Sequence, residues 1–272
     1  MIHYREFAIL IAKEAGALLK HRFHKKHDIE YKGAINIVTE ADRLSEDLLI
    51  TRIKQGFPDH DIITEESAGI QKGSRFRWII DPLDGTTNYA HGFPFFCVSI
   101  ALEEDGEVIL GVIYNPILDE LFVAEKGVGA VLNDEKLAVS RTDELVKSFL
   151  ATGFPYDISV NPDNNINYFS GLAFKVQAIR RAGSAAIDLA YLAAGRFDGF
   201  WELKLSPWDT AAGWLMVTEA GGTVTEISGV HYHLESPCIL ASNGRIHDKL
   251  IHALGQINPL DSRLVTEPLP SR

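Results

Sequence analysis

Cysteine is scarce: Cys97 and Cys238 are the only two in 272 residues, and they lie far apart in the sequence. Two distant thiols offer neither a disulfide framework nor a Cys-x-x-Cys motif, so each is expected as a small buried apolar residue. Long uncharged apolar runs are also missing. Although 46% of the chain is apolar, no such run approaches the ~18 residues that a membrane-spanning helix needs, which excludes a span. Met1 to Glu6 lack the charged-then-apolar order of a secretion signal, and cytoplasmic residence is the expectation. Basic residues number 26 against 37 acidic ones, a formal charge of -11 with no Lys/Arg stripe. Direct nucleic-acid binding is therefore not expected, which weighs against a metal-dependent nuclease. No Gly-x-Ser-x-Gly elbow offers a serine nucleophile, and no His-x-x-x-His spacing offers zinc. Gly127-x-Gly129 lacks the third glycine of a dinucleotide loop and reads as hairpin geometry.

What is present centres on Trp78-Ile79-Ile80-Asp81-Pro82-Leu83-Asp84-Gly85-Thr86-Thr87-Asn88. Trp78 to Ile80 read as a buried strand that empties into a loop with two carboxylates three residues apart, as an open sheet presents ligands at its carboxyl edge. Pro82 fixes its own φ and restricts Asp81, so the pair leaves the strand in a defined geometry. Gly85 permits close approach of a ligand, and Thr86, Thr87 or Asn88 is placed to cap a following helix.

Before that stretch, Phe7, Ile11, Ala15, Leu18 and Leu19 recur at helical spacing, and the basic run His21 to His27 suits a helix's last turn. Ile29 to Val38 alternates around Gly33 as a short strand or hairpin. Thr39-Glu40-Ala41-Asp42 then opens a second helix, with Thr39 and Asp42 spaced as a capping box. Lys32 taken alone reads as a solvated side chain. In Asp61 to Ser67 a short strand meets an acidic turn, and nothing local separates Glu65 from Glu66. Pro94 to Val139 reads as one broad antiparallel sheet, and the second half alternates strand and helix to about residue 256. Two of its stretches stand out. Gly183-Ser184-Ala185-Ala186 opens a helix with free N–H groups and a hydroxyl, and Ser206-Pro207-Trp208-Asp209 combines N-cap, N1 proline and first-turn acid. No linker divides the chain, so residues 1–257 are expected as one domain of two packed halves, about 1–145 and 146–257, with 258–272 a loose tail.

Asp81, Asp84, Asp209 and one of Glu65 or Glu66 are hard oxygen ligands suited to Mg²⁺, with Mn²⁺ as a substitute. A site this acidic accepts phosphate only with two or more divalent ions in it. Two ions ~4 Å apart hold a phosphate ester and activate a water, which Thr86 and Asp42 are placed to orient and deprotonate.

Four separated motifs carry a resemblance: Lys32 with Asn36 to Asp42; Glu65-Glu66-Ser67 with Asp81 to Asn88; Gly183 to Ala186 with Glu202; and Trp208 to Gly213. Together they resemble the inositol monophosphatase family of Mg-dependent, lithium-sensitive phosphatases, in its bacterial form. The resemblance implies an α/β (α+β) fold, a layered α-β-α-β-α sandwich of the sugar phosphatase type, and a homodimer. It implies Glu65, Asp81 and the Leu83 carbonyl on one metal, Asp81, Asp84 and Asp209 on a second, and a weaker third ion near Glu65 and Lys32. Asp42 and Thr86 would handle the water. Leu83, Asp84, Gly85, Thr86 and Asp209 would face the phosphate, and Gly183, Ser184, Ala185 and Glu202 the sugar hydroxyls. Arg180 matches a substrate-side arginine, with Arg181 beside it as the alternative. The expected activity is hydrolysis of inositol 1-phosphate. Fructose 1,6-bisphosphate, histidinol phosphate and adenosine 3′,5′-bisphosphate are the substrates of other members. A phosphatase scaffold serving as a protein-interaction subunit, as proposed for some bacterial members in the transcription machinery, is the second expectation. Two departures bear on substrate and third ion: the Glu65 to Asp81 connection is shorter than in animal members, and Ser206 stands where they carry histidine.

Overall fold

The computed structural model describes residues 4–25, 29–33 and 35–257; the expected tail and the Lys26-His27 end of the basic run lie outside them. Helix α1 (Tyr4–Arg22) buries Phe7, Ile11, Ala15 and Leu19, and carries Lys20, His21 and Arg22 in its last turn, where free carbonyls favour positive charge. Strands β1 (Ile29–Tyr31) and β2 (Ile37–Thr39) form the small antiparallel hairpin. Helix α2 (Glu40–Gly56) follows directly, with Thr39 as its N-cap.

A seven-stranded sheet comes next: β3 (Asp61–Thr64), β4 (Phe76–Asp84), β5 (Cys97–Glu104), β6 (Glu107–Asn115), β7 (Glu120–Glu125), β8 (Gly129–Leu132) and β9 (Glu135–Lys136), in that spatial order. Every pair is antiparallel except β3 with β4. The β5–β6 turn is tight because Asp105 and Gly106 both take positive φ, 51° and 89°, the twist that suits a two-residue hairpin. The apolar run in β4 is explained by burial on both faces. Trp78 and Ile80 pack with α1 and α2, whereas Ile79 packs with the helices of the second half.

A second, mixed sheet has the order β11-β10-β12-β14-β13, from β10 (Phe149–Thr152), β11 (Ala178–Arg180), β12 (Gly199–Leu203), β13 (Thr223–Thr225) and β14 (Cys238–Ser242). Between the sheets lie α5 (Ala185–Ala193) and α6 (Pro207–Glu219). Small residues set that spacing: a Cβ on Gly111 would stand 2.9 Å from the Ala212 backbone, and one on Gly213 2.6 Å from Leu189. The outer face packs Leu150, Trp201 and Leu240 against Leu172 of α4 (Ile166–Ala173) and Leu250 and Leu254 of α7 (His247–Gly255). The layers are thus α-β-α-β-α, the expected sandwich.

One expectation about β4 fails. The strand does not stop at Ile80 but runs to Asp84, with its pairing to β5 shifting register between Asp81 and Asp84. The proline removes a ladder donor there, so the strand is irregular without ending, and both carboxylates remain on it.

Candidate active site

A cavity of about 490 Å³ opens where the carboxyl ends of β3 and β4 meet the first turns of α5 and α6. Asp81 and Asp84 come from β4, Glu65 from just beyond β3, and Asp209 from the first turn of α6; all four line it. Asp81 and Asp84 are near neighbours on one strand, but Glu65 and Asp209 come from other elements, and the fold brings them to that pair.

Each aspartate is anchored by one oxygen. Asp81 Oδ1 accepts the Leu83 N–H at 3.0 Å, and Asp209 Oδ2 the Ser206 N–H at 2.7 Å. Asp84 Oδ2 accepts from Ser184 Oγ at 2.6 Å and the Ala186 N–H at 2.7 Å. Ser184 is the N-cap of α5; its hydroxyl proton and the Ala186 N–H are engaged by Asp84, so they are not free as expected, although Ser184 itself lines the cavity. The second oxygen of each aspartate has no partner among the described residues. Burial pushes Asp81 and Asp209 well above the usual carboxylate range, and the neighbouring acids push them further. Glu65 and Asp84 rise too, mainly from burial, with Lys32 opposing the shift at Glu65 and Ser184 at Asp84.

The Glu65 or Glu66 ambiguity is resolved by a residue that sequence reading missed. Glu46, buried on α2, accepts from Thr64 Oγ1 at 2.6 Å and from the Glu66 and Ser67 N–H groups, which pins the turn so that Glu65 faces the cavity. An acid on the buried face of an amphipathic helix was the available signal. Lys32 spans both glutamates, at 3.2 Å from Glu65 and 2.6 Å from Glu66, and burial pushes Glu66 up to about 7. Lys32 is therefore paired, not merely solvated.

Asp42 completes the anticipated capping box and also reaches Thr86 with the same carboxyl. Oδ2 accepts from the Thr39 N–H at 2.8 Å, closing the capping box, while Oδ1 accepts from Thr86 Oγ1 at 2.7 Å. It stands behind Thr86, fully buried, and burial raises its proton affinity against those hydrogen bonds. Gly85 has φ 98°, and a Cβ there would meet Phe95 O at 2.9 Å. Gly85, not a threonine or Asn88, is the N-cap of the short helix α3 (Thr86–Ala90). Asn88 instead ties loops together, donating to Phe95 O and Ala182 O.

Leu83, Gly183, Ala185 and Glu202 also line the cavity. Burial pushes Glu202 up to about 8, with Arg181 opposing. Arg180 is displaced from its anticipated place: it ends β11, exposed, with its guanidinium 4.7 Å above the Phe149 ring, and Arg181 lines the cavity. Tyr156, also missed, lines the cavity, on a loop held by Lys204 Nζ to Asp157 Oδ2 at 2.8 Å.

The donor set suits hard divalent cations, since it is all oxygen and its buried acids raise one another. Among the described residues, no three His, Cys, Asp or Glu side chains are gathered as a ready-made metal cluster, so the acids share one cavity as separate groups.

The inositol monophosphatase family model matches residues 2–258. An inositol-1-monophosphatase of Synechocystis sp. is 46% identical over 251 residues, covering 92% of this chain and 88% of its own. A protein of Pseudomonas aeruginosa named Nus factor SuhB is 42% identical, covering 90% and 93%. The solved inositol monophosphatase of Anabaena (Nostoc) sp. superposes with a TM-score of 0.87 at 45% identity, covering 94% and 97%. Divalent-metal use is typical of this family, and so is lithium sensitivity. With its layered fold, its carboxylate-lined cavity and a match along nearly its whole length, this chain belongs to the inositol monophosphatase family of phosphatases.

Proposed function

We propose that the chain is a Mg²⁺-dependent phosphomonoesterase that hydrolyses inositol 1-phosphate or a closely similar polyol phosphate to the free polyol and phosphate. The observation that carries this reading is the convergence of Glu65, Asp81, Asp84 and Asp209 on one cavity. By family resemblance, Glu65, Asp81 and the Leu83 carbonyl would hold one ion, and Asp81, Asp84 and Asp209 a second; a third would sit near Glu65, and Mn²⁺ would be able to substitute. Bound there, such ions neutralise the ester's charge, acidify a water and stabilise the leaving alkoxide. The chain's own part is orientation and proton transfer. The attacking water gives a proton to Thr86 Oγ1 while the threonine proton passes to Asp42 Oδ1, 2.7 Å away. Asp42 is suited to receive it because burial has raised its proton affinity. The water oxygen bonds to phosphorus, and the ester oxygen departs with its electron pair and takes a proton from solvent. Gly85 and Thr86 flank the phosphate, and Ala185 and Glu202 face the polyol.

Phosphate release with and without Mg²⁺ tests the reading, together with Asp84→Asn and Asp209→Asn. Activity retained by both variants refutes it. Cytoplasmic residence, a single domain over residues 1–257 and a homodimer belong to the same reading, and light scattering checks the last. No described helix is long and apolar enough to cross a membrane.

The relative named Nus factor SuhB favours a second reading, in which the same scaffold also serves as a protein-interaction subunit. Binding of a partner by the Asp84→Asn protein, with chemistry lost, would support it. Loss of binding together with activity would count against it.

A further inference from the structure

Among the described residues, three buried side-chain atoms lack a hydrogen-bond partner: Arg77 Nε, Asn115 Nδ2 and Asp188 Oδ1. Only Asp188 belongs to the cavity wall. It stands in the first turn of α5, four residues after Ser184, and is 1% exposed. A first-turn acid gains from the helix's N-terminal field, but that gain is smaller than the cost of a buried carboxyl oxygen left without a hydrogen. Packing alone therefore does not account for an aspartate here.

Two other side chains at this end of the cavity also have their hydrogen-bonding capacity unspent. Glu202 and Arg181 line it, and neither side chain makes a hydrogen bond or ion pair with another described residue. The three are close enough to sense one another, since Glu202 and Arg181 shift the Asp188 carboxyl in opposite directions. Room for them is built in. A Cβ on Gly153 would fall 2.1 Å from Glu202 Oε1, so only glycine lets that carboxyl sit where it does.

We propose that Asp188 is a specificity residue: with Glu202 and Arg181 it forms a hydroxyl-binding floor that selects an uncharged polyol beyond the phosphate and rejects a second phosphate. This rests on the phosphatase reading and narrows its substrate class. A hydroxyl both donates and accepts, so neighbouring ring hydroxyls satisfy two carboxyls and a guanidinium together. A second phosphate meets two acids for one cation, and its acceptor-only oxygens leave those acids unpaired.

The test is steady-state kinetics with Mg²⁺ on inositol 1-phosphate, glycerol 2-phosphate and fructose 1,6-bisphosphate, for the unaltered protein, Asp188→Asn and Asp188→Ala. Both variants are expected to raise KM for inositol 1-phosphate about 10-fold or more, with kcat little changed, because a site built to bind hydroxyls loses a partner. Glycerol 2-phosphate, with two hydroxyls and no ring to spread them across the floor, is expected to be much less affected, and the preference for monophosphate over bisphosphate to narrow. Equal losses on all three esters, or no change on any, overturn the proposal. If melting curves show that the variants do not fold, deoxy-inositol phosphates on the unaltered protein decide: turnover undiminished for every deoxy analogue overturns it, and a raised KM for one supports it. An unaltered protein inactive on every ester refutes the phosphatase reading itself. One active on them, with flat selectivity across the variants, refutes only the role of Asp188.

Discussion

Replacing Glu202 by glutamine is expected to stabilise the metal-free protein at neutral pH. Glu202 is 8% exposed, and burial moves its pKa from an ordinary 4.5 to about 8. A carboxyl raised on folding holds its proton longer in the folded state than in the unfolded one. Stability is then fully present below the unfolded value and is lost as pH rises toward the folded one. Applied to 4.5 and 8, linkage gives a penalty of about 3 kcal/mol at pH 7 and under about 1 kcal/mol at pH 5. Glutamine cannot ionise, so Glu202→Gln removes that penalty while leaving an amide with its own unmet hydrogen bonds. The net gain expected at pH 7 is about 1–3 kcal/mol, which for a chain of this size raises Tm by roughly 2–10 °C. At pH 5 the gain shrinks to about the error of the measurement. Thermal melts in a chelator at the two pH values supply the readout. Added Mg²⁺ should narrow the gap, because nearby cations relieve the unaltered carboxylate. A variant less stable than the unaltered protein at pH 7, or shifted equally at both pH values, would refute the reasoning.

Three other outcomes follow from the site. Thr86→Ala removes the hydroxyl between the cavity and Asp42, and kcat should fall roughly 10²- to 10⁴-fold with KM nearly unchanged in steady-state assays. Ser184→Ala leaves Asp84 with a weaker hold on its orientation, so the Mg²⁺ concentration for half-maximal activity should rise about 10- to 100-fold; an unchanged Mg²⁺ titration would remove Ser184 from that role. Gly85→Ala forces a Cβ into a left-handed residue facing Phe95 O, and denaturant unfolding should show a loss of about 1–3 kcal/mol.

Much of the layered fold was readable because its strands carry two-faced apolar runs or clear alternation, and because turn residues such as Asp105-Gly106 punctuate them. Asp81 and Asp84 were conspicuous for a related reason: they follow a strong strand signal as a pair of acids that the strand does not require, whereas Asp209 had a capping role open to it and stood out only together with the other acids. Local reading stayed open or went astray where two neighbours look alike and only the fold tells them apart. Glu65 and Glu66 are distinguished by Glu46 on another element, and Arg180 and Arg181 by where β11 ends. Asp188 was invisible for the opposite reason. An acid in the first turn of an alanine- and leucine-rich helix looks like ordinary capping chemistry until its burial is known.

The hold of Asp84 on Ser184 and Ala186 reaches across about a hundred residues of chain, from β4 to the start of α5. A nascent polypeptide that has emerged only through its first sheet therefore exposes acidic strand ends whose clamp has not yet been synthesised. Asp209 arrives later still. If the acids hold cations as proposed, the site is complete only once the second half has docked, and fragments divided near residue 145 are expected to be inert alone and to recover turnover only on recombination.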